Sequence, residues 1–476
     1  MHWKLNRWIV TGGVLLLASL PASAAQLRAA ATGEIVAAPD GVGDAEIVNL
    51  DPAVAQTLLD LEEGASLPVA DWPVAPGVRQ EVELARFDVY APDARIVRME
   101  GNREVELPRS RLVFFQGRSL DDAGTRLVVS VDPETRLLQG MAMTEEGTQE
   151  LRPWSKAAGG YLVAPPQAPP QEKSDEPAWS CGQQQDPLTG GSLEALLAPS
   201  TLGQVEEKAI TSLHRATIAV DTDNELMNLK FSNNTTAATN YIANLIARMS
   251  IMYERDLLVR LVQGHTILRT GSGDPYNQSG TGSADSAKLN EFSNYWAGGC
   301  NGTCTGISRS LVMMLSGKQA STGSASGIAW LRSLCSTSIG YSFTQVFKFA
   351  QDTSANDAYI VGHELGHNFG SPHTHCYSPA IDSCYGSESG CYSGATSCPA
   401  ATTINGVTNV RGTVMSYCHL SGSCGGKEVF HPRSVELLAP LIQAQAGRCI
   451  IPLGSGSTTN AVFTDGFEAG NRSSWQ

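Results

Sequence analysis

The sequence predicts an α/β protein. A larger domain built on a twisted, mixed but mostly parallel sheet with packed helices follows a smaller β-rich domain. Three observations carry this. From about residue 208 strand-like and helix-like stretches alternate, the pattern that builds a mostly parallel sheet. Between Val82 and Leu151 the texture is instead short alternating runs of period two. Ten of the eleven cysteines lie from Cys300 onward, so the last part of the chain should be irregular and stapled.

The chain has 476 residues, which suits two folded parts plus tails. Its formal net charge of -14 argues against nucleic acid as a partner. The first 24 residues read as an export signal: Lys4 and Arg7, an apolar run from Trp8 to Leu20, then Ala22-Ser23-Ala24. That run is short for a bilayer span, and no other segment is long and apolar enough. The chain is therefore expected to be secreted, which suits disulfides. Ten cysteines can pair completely and leave Cys181 as the odd thiol.

In order, residues 25–163 form the β-rich domain, although 25–67 show no clear period. Strands are expected at Ala85–Tyr90, Arg111–Phe115 and Thr125–Val131. No Cys or His falls in this domain, which suits a folding or inhibitory pro-region. Residues 164–207 are a linker, Pro-rich as far as Pro177, that carries Cys181-Gly182. The second domain, 208–450, is predicted to run in order through a strand at His214–Asp221, a helix at Thr235–Asp256, a strand at Leu257–Leu268 and a helix at Ala284–Trp296. Strands at Ser310–Leu315, Gly327–Leu334 and Tyr341–Phe347 follow. A helix over Asn356–Phe369 then starts at an N-cap Asn356 or Asp357. Residues 451–476 form a flexible tail.

The stretch 363–373, His-Glu-Leu-Gly-His-Asn-Phe-Gly-Ser-Pro-His, organises the second domain. Positions four apart share a helix face, so His363 and His367 converge on one point. Gly370 permits a left-handed turn that ends the helix, and Pro372 keeps it ended, so His373 can swing back as a third ligand. Three histidines leave one tetrahedral position of a Zn²⁺ ion open, the catalytic pattern, whereas structural zinc sites close all four. Glu364 stands beside the first ligand and can take a proton from a water there. The competing explanation is a surface helix with scattered histidines. Average residue usage puts the chance occurrence of the five fixed positions on the order of 10⁻⁷ per start point.

This H-E-x-x-H-x-x-G-x-x-H pattern resembles the metzincin metallopeptidases. Thr413-Val414-Met415-Ser416-Tyr417 is similar to their Met-turn, which places Met415 as an apolar floor beneath the metal. The resemblance covers about residues 208–450 and implies a zinc metalloendopeptidase with a disulfide-rich irregular lower subdomain. The helix-strand prelude and the cysteines look most like the adamalysin, or reprolysin, branch. Two residues depart from it: Thr374 stands where that branch usually has Asp, and Tyr417 where it usually has Pro. A tyrosine there is similar to astacins and serralysins. It implies a phenol within reach of the metal or of the developing oxyanion; the bland alternative is packing under the site.

The resemblance also implies protein or peptide substrates bound extended along an edge strand, for which Gly327–Leu331 is the candidate; an ordinary core strand is the alternative. Cys181 resembles the cysteine switch of metzincin pro-regions, a thiolate filling the open metal position. Trp179-Ser180 before it lack the basic or proline residue often found there, and a surface thiol or a disulfide to the second domain is the alternative. His375, His419 and His431 are expected beside the site or on the surface, and His214 and His265 as packing residues. The chain is expected to act as a monomer. Rival functions are a secreted adhesion protein with a non-catalytic zinc domain, and a zinc amidase acting on cell-wall peptides.

Overall fold

The alternation in the first part builds a large, mostly antiparallel sheet, and that in the second a mixed one. The computed structural model describes residues 27–30, 33–37, 44–101, 103–154, 159–166, 179–184, 211–271, 273–278, 284–318, 325–346, 354–420 and 424–453. The stretch read as an export signal, most of the linker and nearly all of the tail fall outside them.

The strands of the first part are β1 (Leu27–Arg28), β2 (Glu34–Ala37), β3 (Asp44–Asn49), β4 (Ser66–Ala75), β5 (Val78–Phe87), β6 (Ile96–Glu100), β7 (Arg103–Leu107), β8 (Val113–Ser119), β9 (Arg126–Val131), β10 (Leu138–Thr144), β11 (Gly147–Pro153) and β12 (Gly160–Ala164). A helix, α1 (Pro52–Leu59), starts on an Asp51 cap whose carboxylate accepts from the Ala53 amide. Among the described residues ten of these strands make one sheet, ordered β1-β4-β5-β8-β9-β10-β11-β12-β3-β2. Its own core holds Trp72, Leu84, Phe115, Leu127 and Leu58 of α1. Residues 25–67, aperiodic in sequence, thus contribute three short strands and a helix. The short strands there carry too few residues for a period to register.

In the second part come β13 (Trp179–Gln184), β14 (His214–Thr222), α2 (Asn224–Leu229), α3 (Thr235–Leu257), β15 (Val259–Leu268), α4 (Ser286–Ala297), β16 (Leu311–Ser316), β17 (Ala325–Trp330), β18 (Tyr341–Gln345) and α5 (Ser354–Phe369). Beyond them lie β19 (Thr402–Ile404), β20 (Val407–Val410), α6 (Pro432–Gln445) and β21 (Ile450–Pro452). The second sheet runs β13-β17-β18-β16-β14-β15-β6-β7, with β21 pairing with β14. It is parallel through its centre, whereas β17 runs antiparallel to β18. All six residues of β16 are buried, as expected of a strand covered on both faces.

Two findings depart from the sequence reading. The hairpin β6–β7 belongs to the first part of the chain yet extends the second sheet, with Ile96 opposite Thr266 and Arg98 opposite Leu268 in parallel register. Helix α5 begins at Ser354, so Asn356 and Asp357 lie inside it and neither is its cap. Asp357 is instead fully buried, accepting from the Tyr241 hydroxyl with Lys230 Nζ at 3.7 Å.

Helix α3 lies between the two sheets and is buried on nearly every side. Its Asn234 cap accepts from the Ala237 amide, and Leu258 ends it in the left-handed region at φ 54°. Apolar residues of the first sheet (Phe87, Phe114, Val128, Met141) share one core with Leu245, Ile246 and Met249 of α3. The polar side of α3 is met by partners from the first part: Arg248 by Glu150 at 2.9 Å, Glu254 by Gln116 at 2.9 Å, and Asn244 by Ser130 at 3.0 Å. Beyond α5 the chain is mostly loop. All ten cysteines from Cys300 onward pair, as Cys300–Cys304, Cys335–Cys449, Cys376–Cys391, Cys384–Cys418 and Cys398–Cys424. Among the described residues no helix is long and apolar enough to cross a membrane.

Candidate functional site

Helix α5 presents His363, Glu364 and His367 to the interior beneath β17, and all three are fully buried. The helix stops at Gly370, whose φ of 127° and Leu441 Cδ1, 2.5 Å from where a Cβ would stand, both exclude a side chain. The Gly370 and Ser371 amides both donate to Gly366 O at 3.1 Å, closing the last turn. The chain then doubles back through Pro372, and the Thr374 amide donates to Met415 O at 3.0 Å. That bond sets His373 opposite the helix.

The three imidazoles meet at their Nε2 atoms, His367 lying 3.1 Å from His363 and 3.2 Å from His373. Every Nδ1 has an acceptor: Val414 O at 2.6 Å for His363, Ser371 O at 2.8 Å for His367, and Glu388 Oε2 at 2.7 Å for His373. With the proton on Nδ1, each ring aims an Nε2 lone pair at the common centre. Burial, with the neighbouring rings adding to it, keeps the imidazoles neutral. His363 is held well below its ordinary range and His367 is pushed down to about 3.

Cys181 on β13 completes the cluster. Its Sγ lies 3.4 Å from His367 Nε2, and the four ligand atoms fall within 4.8 Å of one another. Tetrahedral Zn²⁺ with bonds of about 2.0–2.1 Å to nitrogen and about 2.3 Å to sulfur sets its ligand atoms about 3.3 Å (N–N) and about 3.6 Å (N–S) apart. Neutral lone pairs aimed at one another at such distances repel unless a cation lies between them, so the donor set fits the metal.

β13 lies along β17 in parallel register, Cys181 opposite Gly327. The expected edge strand is thus the outer strand of its own domain, covered by the linker. Glu364 sits directly below it: a Cβ on Gly327 would stand 2.0 Å from Glu364 Oε1. Burial raises the Glu364 carboxyl well above its ordinary range, against a hydrogen bond from the Cys181 thiol. Burial likewise pushes the thiol up, helped by the Glu364 charge. Tyr417 packs 4.4 Å from His373, centroid to centroid, and its hydroxyl donates to Cys181 O. Met415 is fully buried below the helix, its Sδ 2.4 Å from where a Cβ on Gly366 would stand.

Residues 212–416 match the family model Reprolysin_5, metallo-peptidase family M12. This is a metzincin-like metallopeptidase domain. Among solved structures, metalloproteinase-II from Bacteroides fragilis is similar at a TM-score of 0.36 and 8% identity, over 67% of this chain and 85% of that one. A chaperone–substrate complex is similar at a TM-score of 0.27 and 12% identity, over 48% of this chain and 35% of that one. No curated protein matches.

All seven residues singled out from sequence come together: His363, Glu364, His367, His373, Met415 and Tyr417 from the second domain, and Cys181 from the linker strand β13. His375 lies beside the cluster, Nε2 at 2.8 Å from Glu388 Oε2. His419 faces Tyr417 at 5.8 Å, and His431 caps α6 by accepting from the Arg433 amide. His214 and His265 are distant strand residues, as expected. Sequence reasoning missed Glu388 and the two glycines, Gly327 and Gly366, that make room for Glu364 and Met415. Glu388 offered one faint signal: with Asp382 it is one of two carboxylates between Cys376 and Cys398.

Proposed function

We propose that the chain is a secreted zinc metalloendopeptidase made as a latent precursor. The observation that carries this is the convergence of three Nδ1-anchored imidazoles beside a buried glutamate, on a domain matching a metallopeptidase family. His363, His367 and His373 would hold the metal, which when bound supplies Lewis acidity and lowers the pKa of a ligated water to about 7. Glu364 is the base. Its carboxylate takes the proton from the attacking water and returns it to the leaving amine. Met415 closes the floor without competing for the cation. A substrate peptide would lie along β17, where β13 now lies, by strand addition.

Cys181 is the latch. Its thiol stands at the fourth corner of the donor set, and a coordinated thiol is deprotonated whatever its metal-free affinity for protons. The chain between 25 and 163 acts as the pro-region that delivers it. Two outcomes are expected from casein cleavage by the full chain. Added to the unlatched Cys181→Ser chain, Glu364→Gln abolishes activity while bound zinc is retained; a double variant that still cleaves at a comparable rate removes Glu364 from the base role. Cys181→Ser is active before any processing while the wild type is silent; equal silence of both would end the latch. If an unlatched, zinc-loaded chain cleaves cell-wall peptides but not casein, the activity is that of an amidase.

A further inference from the structure

We infer that Glu388 fixes the tautomer of His373 and tunes the charge at the metal-binding centre, a positioning role that rests on the proposed zinc site. One oxygen, Glu388 Oε2, receives two hydrogen bonds, from His373 Nδ1 at 2.7 Å and His375 Nε2 at 2.8 Å. A carboxylate only accepts, so both nitrogens carry protons. Protonated at Nδ1 and neutral overall, His373 has its Nε2 lone pair free, and that atom faces His367 Nε2.

The three histidines are not served alike. His363 and His367 donate to neutral backbone carbonyls, of Val414 and Ser371, whereas His373 donates to a carboxylate. A charge-assisted bond of this kind is roughly twice as strong as a neutral one and makes the imidazole a better donor to a cation. It also brings one negative charge next to three neutral ligands, which damps the net charge of a loaded site.

The surroundings hold the pair in place. The His375 ring stacks on His373 at 5.3 Å with planes 10° apart, and Tyr417 contacts His373 at 4.4 Å. The loop carrying Glu388 is anchored by the Cys376–Cys391 disulfide, and the Tyr392 amide donates to His375 O at 2.9 Å. The adamalysin-like Asp after the third histidine is Thr374 here; the carboxylate next to that histidine is supplied from the loop instead.

A residue that only pinned the loop would change stability and leave metal affinity alone. The test is zinc affinity of the full chain, by competition with a chromophoric chelator, for wild type, Glu388→Gln, Glu388→Ala and Glu388→Asp. Circular dichroism of the metal-free proteins serves as the folding control. Loss of this outer contact is expected to weaken zinc about ten- to hundredfold in Glu388→Ala and Glu388→Gln. Glu388→Asp should recover part of it, and the visible spectrum of the Co²⁺ form should shift in Glu388→Gln. Affinities of wild type and Glu388→Gln within twofold, with an unchanged Co²⁺ spectrum, would overturn the inference. Failure of the folded wild type to bind zinc would instead sink the metal site itself, so the two failures are separable.

Discussion

The Tyr417 hydroxyl donates to the carbonyl of Cys181, the peptide group that stands over the histidines. Were a substrate carbonyl to take the place of that peptide group, as the proposed function implies, the same phenol would face the oxygen where negative charge develops during attack. Tyr417→Phe keeps the ring contact with His373 and deletes only the hydroxyl. In the unlatched enzyme kcat is expected to fall on the order of tenfold or more, as for loss of one oxyanion donor, with KM little changed. Steady-state kinetics on a peptide substrate check this, and an unchanged kcat would leave Tyr417 a packing residue. At this scale the motif histidines were legible because helix period and a single glycine fix their geometry locally. Glu388 was not, because its contact with a histidine 15 positions earlier depends on how a disulfide-bridged loop folds.

Strand β17 owes its closeness to α5 to the absence of a side chain at Gly327. Gly327→Ala would drive a methyl into the Glu364 carboxylate and displace the base by roughly an ångström. A displacement of that size can cost on the order of 10²-fold in rate. The expected outcome is that loss in kcat with zinc content and thermal midpoint near wild type; full activity would mean that β17 simply shifts aside. The strand-helix succession of the second part was legible in the sequence because each segment has its own period. The true environment of α3 was not. Its polar residues suggest a solvent face, yet Arg248, Glu254 and Asn244 meet Glu150, Gln116 and Ser130 of the first sheet. Buried charges need such partners, and periodicity does not reveal whether water or protein supplies them.

At the scale of the whole molecule, the chain preceding residue 185 grips the second sheet at both ends, β6–β7 of the first part beyond β15 and the linker strand β13 against β17. Separately, the first sheet holds α3 through the shared core and the buried Arg248–Glu150 and Glu254–Gln116 contacts. Cutting the chain between residues 185 and 210 severs neither. The two pieces are therefore expected to co-elute in size-exclusion chromatography after cleavage at an engineered site in that segment. Latency then becomes a question of effective concentration. Cys181 remains joined through 167–178 to a body that stays docked, so it meets the histidines at on the order of millimolar local concentration. A strand too weak to inhibit as a free peptide can block an enzyme under those terms. One cut should leave casein cleavage silent, and a second cut within 167–178 should release it. Full activity after the first cut alone would mean that the tether, and not only the peptide bond, had been lost. On the proposed latency, activation would be a two-key lock, in which the second scission turns a tethered inhibitor into a dilute one.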